Sequence, residues 1–289
     1  MMQRLLLILF LFGLYSCGSD TGEPGKPVVA VSIQPQKYLV STIADTLFDV
    51  VVMVPPGASP ATWEPTPAQM KSLDHALIYF RIGHIGFEQA WMDRIIDLNE
   101  DMPVVDLSTA EGMELIQVDY THGDHSHVGI DPHTWLSPAR MEIMARTTYF
   151  QLAELMPEHK KYFRANYEKL LGEIKNADRQ VKKDLEGYYG KSFLIFHPSL
   201  AYFAQDYGLK QFPIEYEGKE PTPAHMRNII DQAEKEGLKT IFVQEEFDRR
   251  NAGVIAEEIG GRVIQINPLS EDWDQEIISI GTKLRKSFK

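Results

Sequence analysis

Thr121–Pro138 reads THGDHSHVGIDPHTWLSP and carries four of the chain's nine histidines, His122, His125, His127 and His133, within twelve residues. Neutral imidazole is the commonest protein ligand for borderline transition metals. The stretch has two parts. His122, His125 and His127 sit among Gly, Asp and Ser, the composition of a polar loop, and are read as a loose metal-collecting segment. His133 lies between Asp131-Pro132 and Trp135-Leu136, just ahead of Ser137-Pro138. Ser at the N-cap with Pro at the first helical position starts a helix. His133 is therefore held at a helix entrance and is expected to be a fixed metal ligand. The competing readings are a solvated linker for the loop and a packing residue for His133.

The helix opening at Ser137 divides two regions of strand–helix alternation. Ahead of it, Val28–Ile33, 49–54, 76–80 and 104–105 are β-branched or apolar runs that read as strands, with helices over 36–47, from near Pro67, and over 87–98. Behind it, 192–196, 211–213, 240–243 and 262–266 read as strands and 199–207, 223–236, 249–259 and 273–286 as helices. Such alternation predicts mostly parallel sheets covered by helices. Between the halves, Met141, Met144, Thr148, Leu152 and Leu155 keep helical spacing to Pro157, and Tyr167, Leu170, Ile174, Val181 and Leu185 resume it. About thirty residues of helix span roughly 45 Å, a strut between two domains. The expected division is 1–16 signal peptide, 17–27 tether, 28–136 first α/β domain, 137–187 helical connector and 188–289 second α/β domain.

The first residues are no part of that fold. Arg4 precedes the apolar run Leu5–Phe12, too short to span a bilayer as a permanent helix. Leu14-Tyr15-Ser16-Cys17 resembles a bacterial lipobox, and Cys17, the chain's only cysteine, is the expected lipidation site. One cysteine excludes an intrachain disulfide. Residues 18–27 (GSDTGEPGKP) form a tether, placing the remainder outside the cytoplasmic membrane on a lipid leash. A formal net charge of -12 argues against nucleic acid as a partner.

In open α/β sheets ligands bind beyond the C-terminal strand ends. That rule selects His84 after the third strand, His197 after SFLIF, Gln244, Glu245 and Glu246 after TIFV, and Asn267 after RVIQI. With His133, one cleft between two domains gathers them. Histidines with a few oxygens suit zinc, or manganese if oxygens dominate.

Four motifs, in order over nearly the whole mature chain, carry a resemblance. They are Gly57-Ala58-Ser59-Pro60 with Glu64-Pro65-Thr66-Pro67; Asp131–Pro138; Phe196-His197-Pro198-Ser199 with Tyr202-Phe203 and Tyr207-Gly208-Leu209; and Glu217-Gly218-Lys219-Glu220-Pro221. The chain resembles the zinc/manganese substrate-binding lipoproteins of ABC importers, of the zinc-uptake type. The resemblance implies two parallel-sheet α/β domains joined by a long rigid helix, with the metal site at their interface and a membrane permease as partner. It implies His133 and His197 as ligands. The family's first-motif histidine follows Ser-Pro, where this chain has Ala61, and its acidic ligand falls in an Asp-Pro-Leu-like stretch, where this chain has Asn267-Pro268-Leu269. His84 is expected to substitute, with Glu64, Glu245 and Asn267 as further candidates.

Extracytoplasmic capture of zinc by a monomer is the leading expectation, and it needs no chemical step. A metal-dependent hydrolase competes with it, since a catalytic zinc site also has three protein ligands. No HExxH pattern supports that alternative. A surface adhesion protein with a degenerate site at Ala61 is the third reading.

Overall fold

The computed structural model describes residues 25–122, 125–215 and 222–289, and between 119 and 127 the backbone alone. The lipobox with Cys17 and the motif Glu217–Pro221 lie outside the described residues. Four parallel strands make the first sheet: β1 (Val28–Val31), β2 (Asp49–Val52), β3 (Ala76–Arg81) and β4 (Val104–Asp106), in the order β2-β1-β3-β4. The crossovers are α1 (Gln34–Ala44), α2 (Pro67–Lys71) and α3 (Gly86–Leu98). Because β2 and β3 flank β1 on opposite sides, the strand order reverses between β1 and β3. A crevice opens at the carboxyl ends at such a point.

The polar segment expected as a loop is instead a hairpin. β5 (Gln117–His122) pairs antiparallel with β6 (His125–Ile130), and His122 stands opposite His125. The reason lies in a signal overshadowed by the histidines. Val118, Tyr120 and Thr121, then Val128 and Ile130, are β-forming residues flanking a two-residue Gly-Asp connection, a hairpin pattern. The side chains of His122, His125 and His127 lie outside the described residues.

Two helices follow. α4 (Pro138–Leu155) begins as its sequence dictates, with Ser137 Oγ accepting from the Arg140 N–H at 3.2 Å and Pro138 in the first turn. Pro157 ends it, and α5 (Lys160–Leu185) runs for 26 residues, about 39 Å of axis. Phe163, Leu170, Ile174, Ala177, Val181 and Leu185 are its buried stripe.

The second sheet comprises β7 (Ser192–Ile195), β8 (Lys210–Pro213), β9 (Thr240–Gln244) and β10 (Arg262–Ile266), parallel in the order β10-β9-β7-β8. Its helices are α6 (Ala201–Asp206), α7 (Pro223–Glu236), α8 (Arg250–Glu258) and α9 (Trp273–Ser287). Here the order reverses between β7 and β9. Period-two alternation sorts these strands. Phe193, Ile195 and Phe242 join the large core that runs through α4 and α5 to the first sheet, while Leu194, Ile241 and Val243 form a separate core under α7 and α8.

α5 packs against both halves, on α1 and on α9. Asn166 Nδ2 donates to the Ile43 carbonyl at 3.0 Å, and Thr282 Oγ1 donates to Asp184 at 2.6 Å. Gly281 meets α5 so closely that a Cβ there would lie 3.1 Å from both Val181 methyls. The chain thus folds as two parallel-sheet α/β domains with a long helix packed between them. Among the described residues, no helix is long and apolar enough to cross a membrane.

Candidate metal centre

The carboxyl ends of both sheets open on one cavity of about 600 Å³. Ser59–Ala61 and His84–Gly86 wall it from the first sheet, and His197–Ser199, Glu246–Phe247 and Pro268–Leu269 from the second. His133 enters from the foot of α4, and residues of the β5–β6 hairpin cover one side.

His133 is fixed by its own turn. Asp131 Oδ1 accepts from the His133 backbone N–H at 2.9 Å and faces its ring Nδ1 at 2.8 Å. The Asp131 carbonyl in turn accepts from Tyr202 Oη at 2.7 Å. The foot of α4 is clamped by Arg140, whose guanidinium reaches Asp206 at 3.2 Å and lies 4.5 Å from the Tyr202 ring centroid. His197 is held in the same manner by another carboxylate: Glu215, buried at the end of β8, faces its Nδ1 at 2.6 Å. Gln244 grips the His197 backbone, accepting from its N–H at 3.3 Å and donating to its carbonyl at 2.6 Å. The Phe247 ring stacks on the imidazole at 5.0 Å.

An ionised carboxylate only accepts hydrogen bonds, so a neutral imidazole facing one carries its proton on Nδ1 and leaves the Nε2 lone pair for a metal. The two Nε2 atoms stand 3.2 Å apart. Two nitrogens at 2.0–2.1 Å from a tetrahedral zinc are separated by about 3.3 Å. The pair therefore has the bite of two zinc ligands, each backed by the carboxylate that typically orients a metal-binding histidine. Asp131→Ala and Glu215→Ala are each expected to lower zinc affinity about 10–100-fold, measured by competition with a chromophoric chelator. A change below about threefold would mark the carboxylates as bystanders to the site.

His84 also lines the cavity, exposed, in the left-handed region at φ 68°. Its turn leans on Gly83, also left-handed at φ 85°, where a Cβ would fall 2.4 Å from Ser108 Oγ. Buried Glu88 holds the turn from beneath, accepting from the Ile82 and Gly83 N–H groups at 2.7 Å each and from Ser32 Oγ. Burial pushes this carboxyl up to about 7, against the lowering pull of those donors and of Arg81. A carboxyl raised on folding stabilises the fold fully below its unfolded value and loses that contribution as pH rises through the folded one. Between about pH 4.5 and 7 this costs of order 3 kcal/mol. In denaturant titrations across that window, Glu88→Gln should flatten the fall in stability. An unchanged slope would refute the assignment.

The remaining sequence candidates fall elsewhere. Glu64 and Glu245 are exposed and do not line the cavity. Asn267 spends its side-chain oxygen on the Leu269 N–H at 3.2 Å, closing its own turn. Glu246, one position beyond Glu245, lines the cavity instead, and burial raises its carboxyl, partly offset by its own backbone N–H and by His197. Sequence reading passed over Glu215 and the role of Asp131. Glu215 stands at the carboxyl end of a strand, and Asp131 is two residues from His133, so both lay within reach of the strand-end rule and of local turn chemistry. Among the described residues, no three His, Cys, Asp or Glu side chains are already gathered as a metal cage.

A histidine pair of zinc bite, lodged where two parallel α/β sheets meet, defines a two-lobed metal-receptor protein. The family described as zinc-uptake complex component A, periplasmic, matches residues 29–280, and this chain belongs to it. A putative metal-binding protein of Chlamydia muridarum is 28% identical over 285 residues, covering 97% of this chain and 98% of that protein. The high-affinity zinc uptake system protein ZnuA of Bacillus subtilis is 24% identical over 262 residues, covering 87% and 81%. A crystal structure of ZnuA superposes with a TM-score of 0.83 at 34% identity, covering 91% of this chain and all of that one.

Proposed function

We propose that this protein captures zinc outside the cytoplasmic membrane and delivers it to the permease of an ABC importer, held to the membrane by lipid on Cys17. The observation that carries the reading is the 3.2 Å approach of His133 Nε2 and His197 Nε2, each ring backed by a carboxylate. Imidazole nitrogens favour zinc over manganese, whose preferred donors are oxygens. Without a thiolate the site stays exchangeable, which suits a carrier that must release its ion. Capture and release change no bond of the ion's partners, so no catalytic group is required.

His84 is the third ligand in this reading. It supplies the imidazole that Ala61 lacks, and both residues line the cavity. The Phe87 N–H donates to the Pro60 carbonyl at 2.8 Å, and a Cβ on Gly86 would lie 2.3 Å from the Ala61 carbonyl oxygen. The His84 turn thus occupies the flank of the Ala61 loop. His84→Ala is expected to weaken zinc binding at least tenfold while leaving a weaker site at His133 and His197. Affinity should also fall as pH drops, because protons compete for the imidazoles. Parent-like affinity in His84→Ala, alongside abolished binding in His133→Ala, would remove His84 from the site.

A further inference from the structure

The two imidazoles of the metal pair lie 64 residues apart in the chain. Their approach therefore depends on contacts between the segments that carry them. His133 sits on the turn ahead of α4. His197 is tied to α6, since the Ser199 N–H donates to the His197 carbonyl at 2.7 Å and α6 begins two residues later at Ala201. Tyr202, fully buried on α6, reaches from one segment to the other. Its Oη donates to the Asp131 carbonyl at 2.7 Å and accepts from the Ile116 N–H at 3.0 Å. One phenol thus holds both the start of the His133 turn and the chain that enters β5.

That phenol is itself held by Arg140, a buried residue in the first turn of α4. Its guanidinium lies 4.5 Å from the Tyr202 ring centroid. Its nitrogens donate to the Glu114 carbonyl at 2.9 Å, to Ser137 Oγ at 3.2 Å, to Asp206 at 3.2 Å and to Gln205 at 3.1 Å. Ser137 Oγ donates to the other Asp206 oxygen at 2.5 Å. Gln205 and Asp206 are the last residues of α6, so both ends of the helix that follows His197 are pinned at the foot of α4. A rigid fork of donors suits such a junction, where the single ammonium of lysine would not. A buried ion pair adds little net stability, and what this one supplies is orientation.

Resting on the zinc-capture reading above, we infer that Arg140 and Tyr202 are positioning residues for the metal pair. They strap the His133 turn to the helix that follows His197, and so set the distance and angle at which the two Nε2 atoms meet an ion. Neither side chain lines the cavity. Both act through Asp131, whose backbone carbonyl Tyr202 holds and whose carboxylate faces the His133 ring.

The test combines zinc affinity, by chelator competition, with the visible spectrum of the cobalt(II)-loaded protein. One variant is Tyr202→Phe, which removes the hydroxyl and keeps the ring. The other joins Arg140→Met to Asp206→Asn, so that no buried charge is left alone. Direct partners of a metal-binding histidine are worth about 10–100-fold, so these residues, one step further out, should each cost about three- to tenfold in affinity. Each should also shift the cobalt spectrum. All three substitutions together should bind no more weakly than the weaker of the two variants, because both act on the same carbonyl. Val181→Ala, in the buried stripe of α5, is the control for a merely structural role. It should lower stability in denaturant while keeping the parent affinity and spectrum. Parent affinity and spectrum in Tyr202→Phe would overturn the assignment, as would losses that simply add. A His197→Ala arm separates the strap from the capture reading. If His197→Ala binds zinc as the parent does, the capture site is misplaced and the strap positions nothing. If it loses zinc while the strap variants match the parent, the capture site stands and the strap alone is refuted.

Discussion

Alanine at either His133 or His197 is expected to abolish tight zinc binding, with a loss of more than about a hundredfold. Outer-shell partners of a metal-binding histidine are worth about 10–100-fold, and a ligand must exceed what its support contributes. The two substitutions should be equivalent, because the rings are built alike. Each gives its Nδ1 to a carboxylate and each presents Nε2 to the same point, 3.2 Å from the other. The double variant should be no worse than either single one, because half of a two-tooth bite holds little. Equilibrium competition with a zinc chelator measures this. Retention of parent affinity by either variant would break the pairing on which the site is built.

The largest structural effect is expected at Trp135. Its indole is buried, its Nε1 donates to the Pro268 carbonyl at 2.8 Å, and its own carbonyl accepts from Trp273 Nε1 at 2.7 Å. The two tryptophans thereby lock the entrance of α4 to the loop after β10 and to the start of α9. Trp135→Ala removes a large buried ring and strands the Pro268 carbonyl, while the backbone carbonyl that accepts from Trp273 remains. A loss of about 3–5 kcal/mol is expected from the cavity alone, out of a total that is typically about 5–15 kcal/mol. Because the Trp135 ring also lies 5.2 Å from His133, zinc affinity should fall with stability. Denaturant unfolding of the metal-free protein reads the first effect, and a loss below about 1 kcal/mol would contradict the interlock.

Much of this fold was legible in the sequence because parallel strands buried on both faces announce themselves as continuous β-branched runs. Val28–Val31 and Thr240–Val243 are such runs, and both are central strands. The start of α4 was equally plain, since Ser137-Pro138 fixes the N-cap and first turn through local chemistry alone. A local rule singles out His133 at a helix entrance and His197 at a strand end, and the structure brings their Nε2 atoms within 3.2 Å of each other. Their supports were harder. Glu215 lies 18 residues from His197, and nothing in the intervening chain records that β8 runs beside β7. Glu245 and Glu246 show the opposite difficulty. The loop beyond β9 decides which of two adjacent carboxylates reaches the cavity, and no periodicity extends into that loop. The hairpin is masked in the sequence because its histidines, Gly, Asp and Ser have the composition of a loop, while the alternation of Val118, Tyr120, Val128 and Ile130 carries the strand signal.

The most direct test of the account is calorimetric titration of zinc into the protein and into a variant lacking residues 122 to 127. Capture at the histidine pair inside the cavity predicts one tight site of the same affinity in both, with only weak additional binding lost from the deletion variant. Disappearance of the tight site with residues 122 to 127, while His133 and His197 remain, would contradict it and move capture to the hairpin.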